Sequence, residues 1–347
     1  MILRLALVGF GNVGQEFVRL LLAKREWLLR KKGLDIEVLA IATKSKGSLA
    51  SRGALDLEKV LDLIKREDSL MSYGPESTNI PPLKLIEGCD ADLMVELTTL
   101  NIDTGQPAID HIRAALSAGM DVITANKGPI AFAYDELRDL TRARGVHFRF
   151  EGTVMDGTPI FNLVERNLPG CQIIGLEGVL NSTSNFVLTE MAKGKDMMEA
   201  IRAAQAKGFA EADPSLDIDG WDAAAKITAL ANVLMDAKTT PKAVDRKGIR
   251  GITREDIAKA TSQGRRYRLV ASASPDSSGV RLHVQPRLVG PDHPFYSLEG
   301  TSSALTIRTD LMGDLTVVET GPAVTQTAYA VFSDLLLIVE AIRSGTI

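Results

Sequence analysis

Apolar positions in the first 150 residues change period several times. Residues 1–10 are a short apolar run that reads as a strand, 15–30 carry the 3.6-residue spacing of an amphipathic helix, and 36–43 return to an apolar run with β-branched side chains. This is a βαβ pattern. A polar stretch over 44–52, a helix over 55–66 and a Pro/Gly-rich loop over 73–82 make the second connection long. Strands follow at 92–98 and 121–125 around a helix at 109–118, then a helix at 134–144 and a strand at 147–150. Such alternation predicts an α/β fold built on a doubly wound parallel sheet.

After Glu151 the grammar changes. A Gly-rich turn leads to helices over 160–167, 184–191 and 197–206, a strand over 173–180, an apolar helix over 220–235, and strands over 267–272, 281–287 and 304–308. These predict a second, α+β domain. The expected organisation is 1–150 as a nucleotide-binding domain, 151–310 as a substrate-binding, catalytic and dimerisation domain, and 311–347 as a segment packing back on the first. Its helix, 326–344, runs through five consecutive apolar residues from Leu335 to Val339, which suits a core or a subunit interface.

With 347 residues, 45% hydrophobic and 24% charged, the chain can bury two ordinary cores. A net charge of -4 without basic runs disfavours nucleic acid and anionic membranes. No uninterrupted run of about 18 apolar residues is present. The apolar opening carries Arg4 and enters a glycine turn without a cleavage site, so it reads as a buried strand rather than a signal. Cys89 and Cys171 have neither disulfide-scaffold nor zinc spacing, which fits a reducing cytoplasm.

Gly9-Phe10-Gly11-Asn12-Val13-Gly14 lies between the first strand and the first helix. In that context Gly9 serves the tight turn, Gly11 the close approach of backbone to a pyrophosphate, and Gly14 the packing of helix on strand, with Asn12 and Val13 offering N–H groups at the helix start. The pattern marks a Rossmann-like dinucleotide site. Where NAD-preferring sheets place a carboxylate for the ribose 2′-hydroxyl, this chain has Thr43-Lys44-Ser45-Lys46. A hydroxyl and ammonium groups suit a 2′-phosphate, so NADP is expected over NAD.

A loop from Lys207 to Gly220 is crowded with acidic residues and precedes the apolar helix that carries Asp222 and Lys226 on one face. Such a loop suits a substrate ammonium. Burial and the helix N-terminus disfavour a charged Lys226 while Asp222 favours it, a balance that suits a proton donor. Lys127 ends the strand that runs from Asp121 through Asn126 and precedes the break at Gly128-Pro129, and in an open α/β sheet that end faces the ligand crevice, with Thr98 and Thr99 beside it. None of the four histidines falls in these segments, leaving lysine as the candidate acid.

Asn126-Lys127, the segment Glu151 to Pro159, the segment Gly178 to Asn185 and above all Gly208 to Lys226 together resemble the homoserine dehydrogenase family, over most of the chain. The resemblance implies reversible reduction of L-aspartate 4-semialdehyde to L-homoserine with NADP or NAD. It implies that Glu211, Asp217 and Asp222 hold the amino acid, and that Lys127 and Lys226 serve at the reacting carbonyl from separate domains. Asn181 and Thr183 are candidates for the substrate's carboxylate end. The resemblance further implies a monovalent cation, Na or K, on backbone carbonyls of Val154, Asp156 and Thr158. Ser182, Ser184 and Asp156 depart from the family pattern of Gly, Thr and a small residue. A homodimer without kinase or regulatory domains is expected. Two other readings remain open: a dehydrogenase of another amino acid, and a non-catalytic nucleotide sensor.

Overall fold

The computed structural model describes residues 1–277 and 279–345. The chain divides into two compact units, one of 1–129, 133–159 and the C-terminal segment from 323, the other of 130–132 and 160–322.

The first unit is built on a seven-stranded sheet in the order β4-β3-β2-β1-β5-β6-β7. Its strands are β1 (Ile2–Val8), β2 (Asp35–Ala42), β3 (Ser48–Ala50), β4 (Ser77–Thr78), β5 (Leu93–Glu96), β6 (Asp121–Thr124) and β7 (Phe148–Arg149). Helices α1 (Asn12–Trp27), α2 (Leu57–Glu67), α3 (Pro82–Gly88), α4 (Ala108–Ser117) and α5 (Lys127–Arg144) connect them. Five strands run parallel, as expected; β3 and β4 add an antiparallel edge that the sequence pattern did not announce.

Alternation along β1 explains the layers. Leu3, Leu5 and Leu7 enter one core with Phe17, Val18 and Leu21 of α1, whereas Ala6 and Val8 enter the opposite core with Ile112 and Leu116 of α4. In β2 the pairing slips by one residue opposite Leu5 and Ala6, so Val38 and Ile41 share a face although three positions apart. The chain leaves β1 toward β2 on one side and later returns to β5 on the other. The crevice at the strands' carboxyl ends therefore opens between β1 and β5.

The second unit contains α6 (Ile160–Asn167), β8 (Ile173–Val179), α7 (Ser182–Ala192), α8 (Met197–Ala206), α9 (Ser215–Ile218), α10 (Trp221–Met235), β9 (Asp245–Arg246), α11 (Arg254–Ser262), β10 (Arg266–Asp276), β11 (Gly279–Val289), β12 (Ser303–Thr309) and β13 (Gly313–Glu319). Its sheet runs β13-β12-β8-β10-β11-β9 and is antiparallel except for the β11/β9 pair.

The chain then returns to the first unit through α12 (Val324–Ser344), which places Val331, Leu335 and Ile338 in the core shared with α1. Two expected boundaries shift. Residues 151–159 cluster with the first unit, and β13 is the outer strand of a hairpin with β12, so the returning segment starts at 323 rather than 311. Residues 346 and 347 of that expected segment lie outside the described residues. By length and composition alone α12 is apolar enough to cross a membrane, although polar residues interrupt its apolar run; half of its apolar window is buried in the protein.

Candidate active site

In the first unit the three glycines meet three different constraints. Gly9 has φ +97°, and a Cβ there would stand 2.5 Å from the Leu97 carbonyl carbon. Close contact between the β1 turn and the chain leaving β5 thus requires glycine. A Cβ on Gly14 would lie 2.8 Å from the Gly9 carbonyl oxygen, so Gly14 lets α1 sit down on the turn. At Gly11 a Cβ would meet no atom within 4 Å. That position faces open space, at the N-cap of a helix with no side-chain cap and no acidic residue in its first turn. Asn12 and Val13 are the first helical residues. Such a helix start accepts an anionic pyrophosphate.

The turn borders a cleft of about 1150 Å³ lined by Gly9, Gly11, Thr43, Lys44, Thr98 and Thr99 among others. A dinucleotide fits these groups. Thr43 folds its own turn: its hydroxyl donates to the Gly47 carbonyl at 2.6 Å and accepts from the Lys46 N–H at 2.9 Å. Lys46 is ion-paired with Asp68, whereas Lys44 is exposed. No carboxylate caps β2, where Thr43 follows Ala42 directly.

Lys127 opens a helix instead of closing a strand. Asn126 is the N-cap of α5 and its side chain accepts from the Gly128 N–H at 2.9 Å, so Lys127 is the first helical residue, half-buried. Three positions of that helix, 130–132, cluster with the second unit. Sequence reasoning missed the group beneath it. Glu96 ends β5 with no exposed surface and accepts the Thr98 N–H at 3.0 Å, the Thr98 hydroxyl, and the Thr124 hydroxyl at 3.0 Å. An acidic residue closing the otherwise apolar run Leu93-Met94-Val95 was the available signal.

The expected cation turn belongs to this unit. Met155 and Asp156 both take left-handed φ, 54° and 48°, and the Thr158 N–H closes the turn onto the Met155 carbonyl at 2.9 Å. Val154 is buried, and the Asp156 carboxylate accepts from the Thr327 hydroxyl at 2.9 Å. No cluster of three His, Cys, Asp or Glu side chains suited to a metal occurs among the described residues. Burial pushes the Cys89 thiol up, away from the thiolate a cysteine nucleophile needs.

The second unit gathers Asn181, Asp217, Asp222 and Lys226. Asn181 follows β8 as the N-cap of α7; its oxygen accepts the Ser184 N–H at 2.7 Å, which fixes the amide orientation. Its nitrogen then donates to both carboxylates, Asp217 at 2.6 Å and Asp222 at 3.0 Å. Lys226, one turn after Asp222 on α10, pairs with it at 3.2 Å and donates to the Leu180 carbonyl at 2.8 Å. Both side chains of that pair keep only about a sixth of their surface, 17% and 16%. Burial and the adjacent Asp222 charge push the Asp217 carboxyl up, against the pull of Asn181, Thr183 and Lys226.

Paired carboxylates of this kind can draw a substrate ammonium. Thr183 adjoins the cluster with its hydroxyl 2.8 Å from the Phe209 carbonyl. Ser184 and Asn185 are fully buried and bonded to Asn181, Gly300 and Ser302, so they are structural. Glu211 is exposed and forms no hydrogen bond or ion pair with Asp217, Asp222 or Lys226. Of the remaining acidic groups in that loop, Asp219 is tied to Arg250 and Asp213 to the Ser215 N–H.

Residues 9–151 match the family described as homoserine dehydrogenase, NAD binding domain, and residues 159–336 match the homoserine dehydrogenase family. The chain belongs to the homoserine dehydrogenase family. It is 37% identical over 334 residues to an NAD(+)-dependent homoserine dehydrogenase of Pseudomonas canavaninivorans, covering 96% of this chain and 95% of that one. It is 36% identical over 338 residues to the homoserine dehydrogenase of Methanocaldococcus jannaschii, covering 97% and 98%. Among solved structures, a putative homoserine dehydrogenase from Archaeoglobus fulgidus has a TM-score of 0.86 at 32% identity, over 97% of this chain and 99% of that one. A hyperthermophilic archaeal homoserine dehydrogenase in complex with NADPH has a TM-score of 0.84 at 31% identity, over 98% of each. The family resemblance read from the motifs is borne out, and with it the α/β fold and an NAD(P)-dependent oxidoreductase.

Proposed function

We propose that this homoserine dehydrogenase family member reversibly reduces L-aspartate 4-semialdehyde to L-homoserine and prefers NADP. The observation that carries the reading is the Asn181–Asp217–Asp222–Lys226 cluster, in which one ammonium is held beside paired carboxylates. Cofactor preference rests on the absence of a carboxylate after β2 and on exposed Lys44.

A nicotinamide dinucleotide held at the Gly9–Gly14 turn would supply the hydride. Lys226 delivers a proton to the oxygen of the carbon that receives it, so aldehyde, hydride and proton sum to the alcohol. Asp222 holds the Lys226 ammonium, and the Leu180 carbonyl fixes its direction. Asp217 and Glu211 bind the substrate ammonium, and Asn181 and Thr183 serve its carboxylate end. Lys127 adds positive charge where the alkoxide develops. Backbone carbonyls of Val154, Asp156 and Thr158 would hold a monovalent cation, Na or K, and the active species is a cytoplasmic homodimer. Two free cysteines agree with a reducing compartment.

A single spectrophotometric series tests this: NADPH and NADH formation from L-homoserine by the native chain and by Lys226→Ala. The expected outcome is turnover with the higher kcat/KM for NADP, and a kcat at least about tenfold lower in the variant at unchanged cofactor affinity. Normal kcat in Lys226→Ala removes the lysine from the proton transfer, and no turnover of homoserine by the native chain removes the reaction.

A further inference from the structure

Glu96 is a buried acidic side chain that the proposed chemistry does not use. It has no exposed surface at the end of a four-residue parallel strand whose other members are all apolar. A buried carboxylate is tolerated only where its oxygens are satisfied, and here each has a partner from a different strand end. One oxygen takes the N–H and hydroxyl of Thr98, just past β5; the other takes the hydroxyl of Thr124, the last residue of β6.

The bonds continue into a closed ring. Thr124 Oγ1 accepts the Asn126 N–H at 3.0 Å, the Asn126 amide donates back to the Thr98 carbonyl at 3.0 Å, and the Asn126 oxygen caps the helix that starts at Lys127. From α4 the ring is faced by His111, whose Nδ1 lies 3.9 Å from Glu96 and has no hydrogen-bond partner while almost fully buried. Thr98 and His111 both line the cofactor cleft. The ring therefore has one edge at the dinucleotide site and another at the first turn of α5.

We propose that Glu96 is a positioning residue for the dehydrogenase reaction: its carboxylate locks the carboxyl ends of β5 and β6 together and so sets the backbone from which Lys127 projects. The inference rests on the reading of Lys127 as a reacting-end residue. Removing the carboxylate leaves two hydroxyls and an N–H without their acceptor, frees Thr98 from Thr124, and loosens the α5 cap by way of Asn126. Displacements of about 1 Å at a reacting group cost on the order of a hundredfold in rate.

The test compares Glu96→Ala, Glu96→Gln, Thr124→Val, Lys127→Ala and the Glu96→Ala/Lys127→Ala double variant, with NADPH binding followed by fluorescence and folding by thermal melting. Glu96→Ala is expected to lower kcat at least about tenfold with KM for homoserine within threefold. Glu96→Gln keeps an acceptor for Thr98 and a polar partner for Thr124, and is expected to recover kcat to within about threefold of native. The double variant is expected to be no slower than Lys127→Ala alone, because a group acting through Lys127 has nothing left to position. Multiplicative losses in the double variant, or a Glu96→Ala kcat within threefold of native, overturn the proposal. If Glu96→Ala does not fold, Thr124→Val takes its place in the cycle under the same criteria, since it removes one hydroxyl at constant shape. A normal kcat in Lys127→Ala sinks the assignment of Lys127 itself, a result separable from the failure of Glu96 to couple to it.

Discussion

Asp217 shows how a single side chain can weaken the fold while serving the site. Its carboxyl is pushed up by burial and by Asp222, so the folded state holds the proton more tightly than the unfolded chain. Stability therefore falls as pH rises above the ordinary carboxylate value and through the raised folded-state one. Asp217→Asn keeps an acceptor for Asn181 and removes the charge. It should raise Tm at pH 7 and raise KM for homoserine about tenfold, the loss of roughly 1.4 kcal/mol of ammonium binding. A Tm that falls at pH 7 defeats the linkage argument. Lys44 is the second residue with a decidable role. Since Lys46 is engaged with Asp68, Lys44→Ala alone should raise KM for NADPH severalfold and leave KM for NADH unchanged; equal changes exclude it as the reader of a 2′-phosphate.

Residue identity made part of this site legible and hid the rest. Lys226 and Asp222 stood out because a helix of known period brings positions four apart together. Asn181 joining Asp217 to that pair spans 36 and 41 residues of sequence, and no local spacing encodes it. Lys127 was misplaced by two dihedral rules pulling against each other: Gly128-Pro129 reads as a break, yet proline is tolerated in a helix's first turn and Asn126 is a strong N-cap.

At the level of elements, the β1–α1 turn separates what folding needs from what the cofactor needs. Gly9→Ala forces a Cβ against the Leu97 carbonyl at a positive φ, at a cost of about 1–3 kcal/mol, and should lower Tm by several degrees. Gly11→Ala meets nothing in the protein. Its Tm should match the native chain while the Kd for NADPH rises at least about tenfold, because the methyl occupies the space reserved for pyrophosphate. Differential scanning fluorimetry with and without NADPH separates the two, and a destabilised Gly11→Ala contradicts the division of labour. The long strands of both sheets were legible from their periods except β13, seven residues whose half-exposed face carries no clear apolar alternation. Strands β3 and β4, of three and two residues, are shorter than any period can register, and their pairing closes an edge that looked like loop.

On the scale of the whole molecule, the first unit is discontinuous: α12 supplies Val331, Phe332, Leu335, Ile338 and Val339 to the core on the α1 face of the sheet. Asp334, on the same helix and 1% exposed, accepts the Glu151 N–H at 2.9 Å. A fragment of residues 1–159 lacks these groups, and should bind a hydrophobic dye and show little near-ultraviolet dichroism, with both reverting when a peptide of residues 320–345 is added. A well-packed, cooperatively melting 1–159 fragment would show that the helix is dispensable.

The same discontinuity sets an order of events during synthesis. A ribosome that has delivered the glycine turn, both lysine-bearing helices and strands β1 to β13 has still not made the α12 wall of the dinucleotide unit, since α12 begins only at Val324. Nascent chains stalled before that point should be unable to retain NADPH and should expose the apolar α1 surface to chaperones, so the dinucleotide unit becomes competent only after the whole second unit has been synthesised.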